Sequence, residues 1–232
     1  WVGKPIPKLT PEGGKTYEGV KITRIEPDRI SITHVGGVAS IPMESLREES
    51  RQALGYDPEK ASAARAAREK AANEASAKAA EADLLSRFES RFDEFQQHDF
   101  IRHKWAMGKD RTGLSAYIAA PKGKPESSTL FLLVTYRGKD WIHMDRIIFA
   151  GTETPVVYDL DTESDVPGHP APLHEWAHLP IDDPLEFAKV VAEANAFRLS
   201  GKFIRDVEFD REMWLPIAET LLLYSKMVGL SK

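Results

Sequence analysis

Near the start of the chain, apolar and polar positions alternate with a period of two in several short runs. Val20 and Ile22 alternate with Lys21 and Thr23, and Ile30, Ile32 and His34 alternate with Ser31 and Thr33. Val38–Ile41 supplies a third run. Pro27-Asp28 and Gly36-Gly37 stand between the runs, where tight turns need a fixed or a positive φ. The pattern predicts a three-stranded meander, a small SH3-like β-unit over residues 14–56. A short helix within 42–56, presenting Leu46 and Leu54, is its expected cover. Residues 1–13, with three prolines and two glycines, read as an extended strap.

The pattern then changes. Asp57-Pro58 offers a cap followed by proline at the first helical position. Between Ala61 and Ala82, 12 of 22 residues are alanine and the rest are mainly charged or small polar residues. Such a stretch is strongly helical but has almost nothing to bury, which predicts a solvated, semi-rigid spacer. Large apolar heptad positions for a coiled coil are missing before Leu84. Leu84, Phe88, Phe92 and Phe95 recur at spacings of four, four and three, so the helical linker is expected to run over 57–97 and to dock its last turns.

Residues 98–232 read as a second module. Candidate strands are Phe100–Met107, Leu114–Ala119, Thr129–Tyr136, Trp141–Phe149 and Pro155–Tyr158. Thr129–Tyr136 is apolar on both faces and is expected to be central; the short connections imply antiparallel pairing. A proline-rich loop is expected over Val166–Pro180. Asp183-Pro184 starts a helix that carries Leu185, Ala188, Val191, Ala192 and Asn195 on one face. A strand with Phe203, Arg205 and Val207 follows. Asp210 caps a closing helix in which Pro216 implies a kink or a later start. Strands first and two late helices define an α+β class, with the helices on one sheet face.

Composition narrows function by exclusion. With 42 % hydrophobic and 29 % charged residues the chain is built to fold. A net charge of -5 argues against nucleic-acid partners, which need a basic face. The most basic short cluster outside the alanine-rich stretch is Arg102, His103, Lys104, Lys109 and Arg111. It reads as a solvated strand face. The absence of cysteine removes disulfides, thiolate nucleophiles and cysteine–zinc sites. No apolar run approaches the ~20 residues of a membrane span. The chain opens at Trp1 rather than methionine, which is compatible with removal of an upstream segment by an export peptidase or by trimming of the expressed sequence.

One motif carries specific chemistry. His174-Glu175-Trp176-Ala177-His178 matches the HExxH pattern, in which a helix sets two histidines one turn apart on Zn²⁺ and the glutamate polarises the bound water. Pro172 and Pro180 flank it by two residues on each side and oppose that helix. Glu186 and Glu193 lie downstream, but neither completes a metal-ligand motif. His169, together with His174 and His178, is a candidate for adventitious or structural metal only. Ser200-Gly201 lacks a nucleophile elbow, and no glycine-rich phosphate loop with a following lysine is present. Asp206, Glu208 and Asp210 read as a solvent face, and Trp141, Trp176 and Trp214 as core or rim aromatics. No catalytic residue, metal ligand or cofactor is assigned.

Gly14-Lys15-Thr16-Tyr17, Gly37-Val38-Ala39-Ser40-Ile41-Pro42 and Gly55-Tyr56-Asp57-Pro58-Glu59-Lys60-Ala61 resemble, in order and spacing, the N-terminal unit of uncharacterised exported bacterial proteins. That resemblance covers about a quarter of the chain. It implies a cleaved signal peptide and an exported, periplasmic or secreted location. Residues 133–224, with Tyr136-Arg137-Gly138-Lys139-Asp140-Trp141, are similar to a bacterial domain of unknown function. In that domain the position of Glu175-Trp176 is not a histidine metal site, and no activity comes with the resemblance. The expectation is a non-enzymatic binding or scaffolding protein of the bacterial envelope, with the sheet domain as contact surface for a protein or peptide partner. The alternative is a zinc-dependent hydrolase using His174, Glu175 and His178. The sequence sets no oligomeric state.

Overall fold

The computed structural model describes residues 1–12, 14–106, 111–164 and 173–230. The class is α+β, and the chain divides into two compact units, Trp1–Ala80 and Glu81–Lys232.

The first unit is a four-stranded antiparallel meander of β1 (Pro5–Leu9), β2 (Tyr17–Ile25), β3 (Arg29–His34) and β4 (Gly37–Pro42). The strap expected at 1–13 therefore carries a strand, with Ile6 opposite Val20 and Leu9 opposite Tyr17. Prolines hid it: Pro5 and Pro7 lack an N–H, which is tolerable because β1 is an edge strand. Val20, Ile22, Ile30, Ile32, Ile41, Met43 and Leu46 form the buried core of this unit. A short helix, α1 (Glu48–Ala53), follows.

Helix α2 (Pro58–Ser86) begins as its sequence predicts, with Asp57 Oδ1 accepting the N–H groups of Glu59 and Lys60 at 3.0 and 3.2 Å. Its first turns are not a free spacer. Ala61 is buried, Arg65 pairs with Glu44 at 2.8 Å, and Arg68 grips Asp28 and also Glu26 at 3.2 Å. A helix can dock through one alanine and two arginines without showing an apolar stripe. Burial works to raise the Asp28 carboxyl, but the Arg68 hydrogen bond and the Arg68 and Arg29 charges prevail and hold it below the usual range. Residues 69–83 lie exposed on every side.

In the second unit the helix ends at Ser86, short of the expected 97, and β5 (Phe88–Asp93) takes over. The spacing of four misleads here. Positions i and i+4 share a face in a helix and in a strand alike. Phe88 is buried, whereas Phe95 is 99 % exposed in the turn after β5. β6 (His98–His103), β7 (Gly113–Pro121) and β8 (Thr129–Gly138) follow. With β11 (Thr162–Ser164) and β12 (Leu173–Pro180) they form a six-stranded antiparallel sheet in the order β11-β12-β8-β7-β6-β5. The segment Leu173–Pro180, expected within a loop, is thus a paired strand; the rest of that loop, 165–172, lies outside the described residues. β9 (Arg146–Ala150), β10 (Val156–Asp159), β13 (Ala196–Ser200) and β14 (Arg205–Glu208) form a second sheet in the order β10-β9-β13-β14. Trp141 and the residues up to Asp145, expected in strand, have no regular structure.

Helix α3 (Pro184–Glu193) is capped by Asp183, and α4 (Arg211–Met227) by Asp210. The first helix stops before Asn195, and Pro216 does not delay the start of the second. α4 packs on β7 and β6, and Trp214 Nε1 donates to Val191 O of α3 at 3.1 Å. Phe187 of α3 meets Phe149 and Tyr158 of the second sheet edge-to-face, at 6.0 and 6.2 Å between ring centres. The core gathers Leu114, Ile118, Leu130, Leu132, Val134, Phe149, Phe187, Phe197, Leu199 and Ile217. No described helix is long and apolar enough to cross a membrane.

Candidate ligand-binding face

Strand geometry decides what the HExxH residues do. In β12, Glu175 and Ala177 point to the inner, helix-covered face and are buried, while His174, Trp176 and His178 lie on the outer face. Two residues four apart on a strand are about 13 Å apart, whereas shared Zn²⁺ ligation needs nitrogens within about 4 Å of each other. His174 and His178 therefore do not meet on one ion. His169 lies outside the described residues. Among the described residues, no group of three or more His, Asp and Glu side chains is placed to hold a metal.

Glu175 has a structural task. Only 1 % exposed, it accepts the N–H groups of Ile142 at 2.6 Å and Met144 at 2.9 Å, one on each carboxylate oxygen. These charge-assisted bonds hold an irregular segment in which His143 adopts φ +50°. Gly201 closes over the same segment; a Cβ there would fall 2.2 Å from His143 O. Burial, and then the nearby Glu175 charge, pushes the Tyr136 phenol upward.

The basic cluster seen in the sequence disperses. Arg102 points outward and pairs with Glu89, and Arg111 pairs with Glu212 at 3.2 Å. Lys104 Nζ donates to Ser86 O at 2.6 Å, and Lys109 lies outside the described residues. His103 turns inward and is buried. Its Nδ1 accepts the Trp105 N–H at 3.1 Å, which places the ring proton on Nε2, facing Glu219 Oε2 at 2.8 Å. Arg87 completes this network on the other oxygen of Glu219.

The outer face of the six-stranded sheet carries a different set of groups. Tyr117 of β7 stacks on Phe131 of β8, with ring centres 5.1 Å apart and planes 6° from parallel. Phe100 of β6 lies 6.0 Å to one side, and the His178 ring stands edge-on at 5.7 Å. The Tyr117 hydroxyl is 3.0 Å from His178 Nδ1. Burial, reinforced by the Glu163 charge, pushes that phenol up to about 12. Phe100, Tyr117, Phe131 and Leu133 are each only half-buried. A hollow of about 610 Å³ opens here, with Phe100, Tyr117 and Leu133 among its lining and Glu89, Arg91, Asp93 and Arg102 as its charged groups. That volume is in the range of small-molecule sites.

Of these residues the sequence had singled out only His178, within the HExxH match, and Arg102, within the basic cluster; the aromatic row and the acidic lining stood in no candidate site. One signal was present: Thr129–Tyr136 is apolar on both faces, yet the helices cover one face only. Among the described residues, α4 packs on the inner face of β6 and β7. The second apolar face, with Phe131 and Leu133, stays half open.

Comparison with protein-family models, with characterised proteins and with solved structures found no match to this chain.

Proposed function

We propose that this chain is a non-catalytic binding protein whose contact surface is the outer face of the six-stranded sheet. The observation that carries this reading is the half-exposed aromatic row Phe100–Tyr117–Phe131 beside a 610 Å³ hollow. Large half-buried rings next to a concave, mixed polar lining are what ligand sites offer. The N-terminal resemblance supports placing the protein in the bacterial envelope, as an exported protein. The chain is tested whole, by titrating a chemically mixed fragment library into isotope-labelled protein and mapping amide shifts. The reading expects shifts to gather on Glu89–Arg102, Ser115–Tyr117 and Leu133. Shifts that gather on another surface, or on none, contradict it.

A further inference from the structure

The lining of the hollow narrows the class of ligand. Its charges are balanced, with guanidiniums from Arg91 and Arg102 against carboxylates from Glu89 and Asp93. Glu89 and Arg102 already neutralise each other, and Asp93 Oδ1 accepts the Phe95 and Gln96 N–H groups at 2.8 and 3.0 Å. An anion would meet the two carboxylates and a cation the two guanidiniums. A purely apolar ligand would strip water from all four and leave them unpaired.

Two polar groups are left with capacity to spare. Arg91 has no ion-pair partner among the described residues and is exposed. Ser115, only 6 % exposed, lines the hollow, and its hydroxyl has no hydrogen-bond partner among the described residues. That hydroxyl opens to the hollow, where a ligand group can take the hydrogen bonds that water otherwise makes. Tyr117 and Phe100 supply ring surface between these polar groups.

On this basis we propose that the hollow binds an uncharged, polyhydroxylated ligand, a neutral oligosaccharide laid across the sheet with its C–H faces on Tyr117 and Phe100. Each sugar hydroxyl both donates and accepts, so one ligand satisfies carboxylates, guanidiniums and Ser115 together. An extended peptide would instead pair its amides along a strand edge, whereas the polar groups here are side chains on the face of the sheet. The assignment rests on the binding-face reading above and can fail without it.

The test is calorimetric titration of the whole chain with hexasaccharides of glucose (α- and β-linked), xylose, mannose and N-acetylglucosamine. At least one is expected to bind, about tenfold more weakly to Tyr117→Ala and several-fold more weakly to Arg91→Gln. Phe203→Ser, in the turn between β13 and β14, is expected to bind as the parent does. Arg91 is exposed on an edge strand, so Arg91→Gln decides the matter even where Tyr117→Ala fails to fold. If no hexasaccharide binds while fragments still gather on the face, the saccharide assignment is overturned and the binding face stands. If a hexasaccharide binds with the same affinity to Arg91→Gln and to every folded Tyr117 variant, the assignment is equally overturned. If neither sugars nor fragments touch the face, both readings fall.

Discussion

The two faces of the six-stranded sheet are made by alternate residues of the same strands, yet they obey different rules. On the inner face, polar groups are few. Glu175 holds two backbone N–H groups, and His103 sits between Trp105 N–H and Glu219. On the outer face, aromatic rings stay half exposed, Glu89 and Arg102 pair in solvent, and the Ser115 hydroxyl opens to the hollow. Burial without satisfaction is too costly for the inner side. The outer side keeps its polar groups open to solvent, as the proposed contact surface requires. Chemistry-bearing residue types are therefore a poor guide here until their face is known: the glutamate of an HExxH match is a structural clamp.

The contrast is tested most severely at β12. Glu175→Ala leaves two buried N–H groups without an acceptor and is expected to cost about 3 kcal/mol or more, read by denaturant unfolding. Amide exchange at Ile142 and Met144 is expected to quicken well beyond the global loss. Three residues along, His178→Ala on the outer face is expected to cost less than about 1 kcal/mol. Equal losses for the two would erase the distinction.

A second pair of neighbours sharpens it. His103→Ala opens the buried network and leaves Glu219 with Arg87 alone, at an expected cost of about 2 kcal/mol. Arg102→Ala, one residue back and exposed, removes only a surface ion pair, at about 0.5 kcal/mol or less. Nitrogen shifts of the imidazole check the geometry directly: the ring proton is expected on Nε2.

The first unit offers a gentler version. Asp28 is buried and its carboxyl is held low against the pull of burial, chiefly by Arg68. A depressed carboxyl stabilises the fold fully above its unfolded value of about 3.9. That contribution is lost as pH falls through the lower folded value. An acid limb is therefore expected below about pH 4, and Arg68→Ala is expected to flatten it while lowering stability at neutral pH. Arg65→Ala, which removes an exposed pair with Glu44, is expected to leave the limb in place.

What was legible in the sequence follows the same divide. Thr129–Tyr136 was readable as a strand because both of its faces carry apolar residues, Leu114–Ala119 was readable as a further strand, and Asp183 and Asp210 were readable as caps. β1 was hidden by prolines that only an edge strand tolerates. β5 was hidden because a spacing of four fits helix and strand alike. β12 was hidden because Pro172 ahead of it and Pro180 at its end drew the reading toward a loop. The docking of α2 through Ala61, Arg65 and Arg68 has no apolar stripe to betray it. The outer face was missed because its members come from five strands, and only strand order brings Arg91, Phe100, Tyr117, Phe131 and His178 together.

The central claim, that the outer face is a contact surface and the inner face the core, is tested by placing one charge on each side of β8. Leu132 is fully buried and Leu133, its neighbour, is half-buried on the outer face. Equilibrium unfolding of Leu132→Lys is expected to show loss of the native state or a cost above about 4 kcal/mol, because an unpaired charge enters the core. Leu133→Lys is expected to fold with a loss of about 1 kcal/mol or less while abolishing fragment shifts on the face. A Leu133→Lys protein as unstable as Leu132→Lys would show that the outer face is core, and would contradict the account.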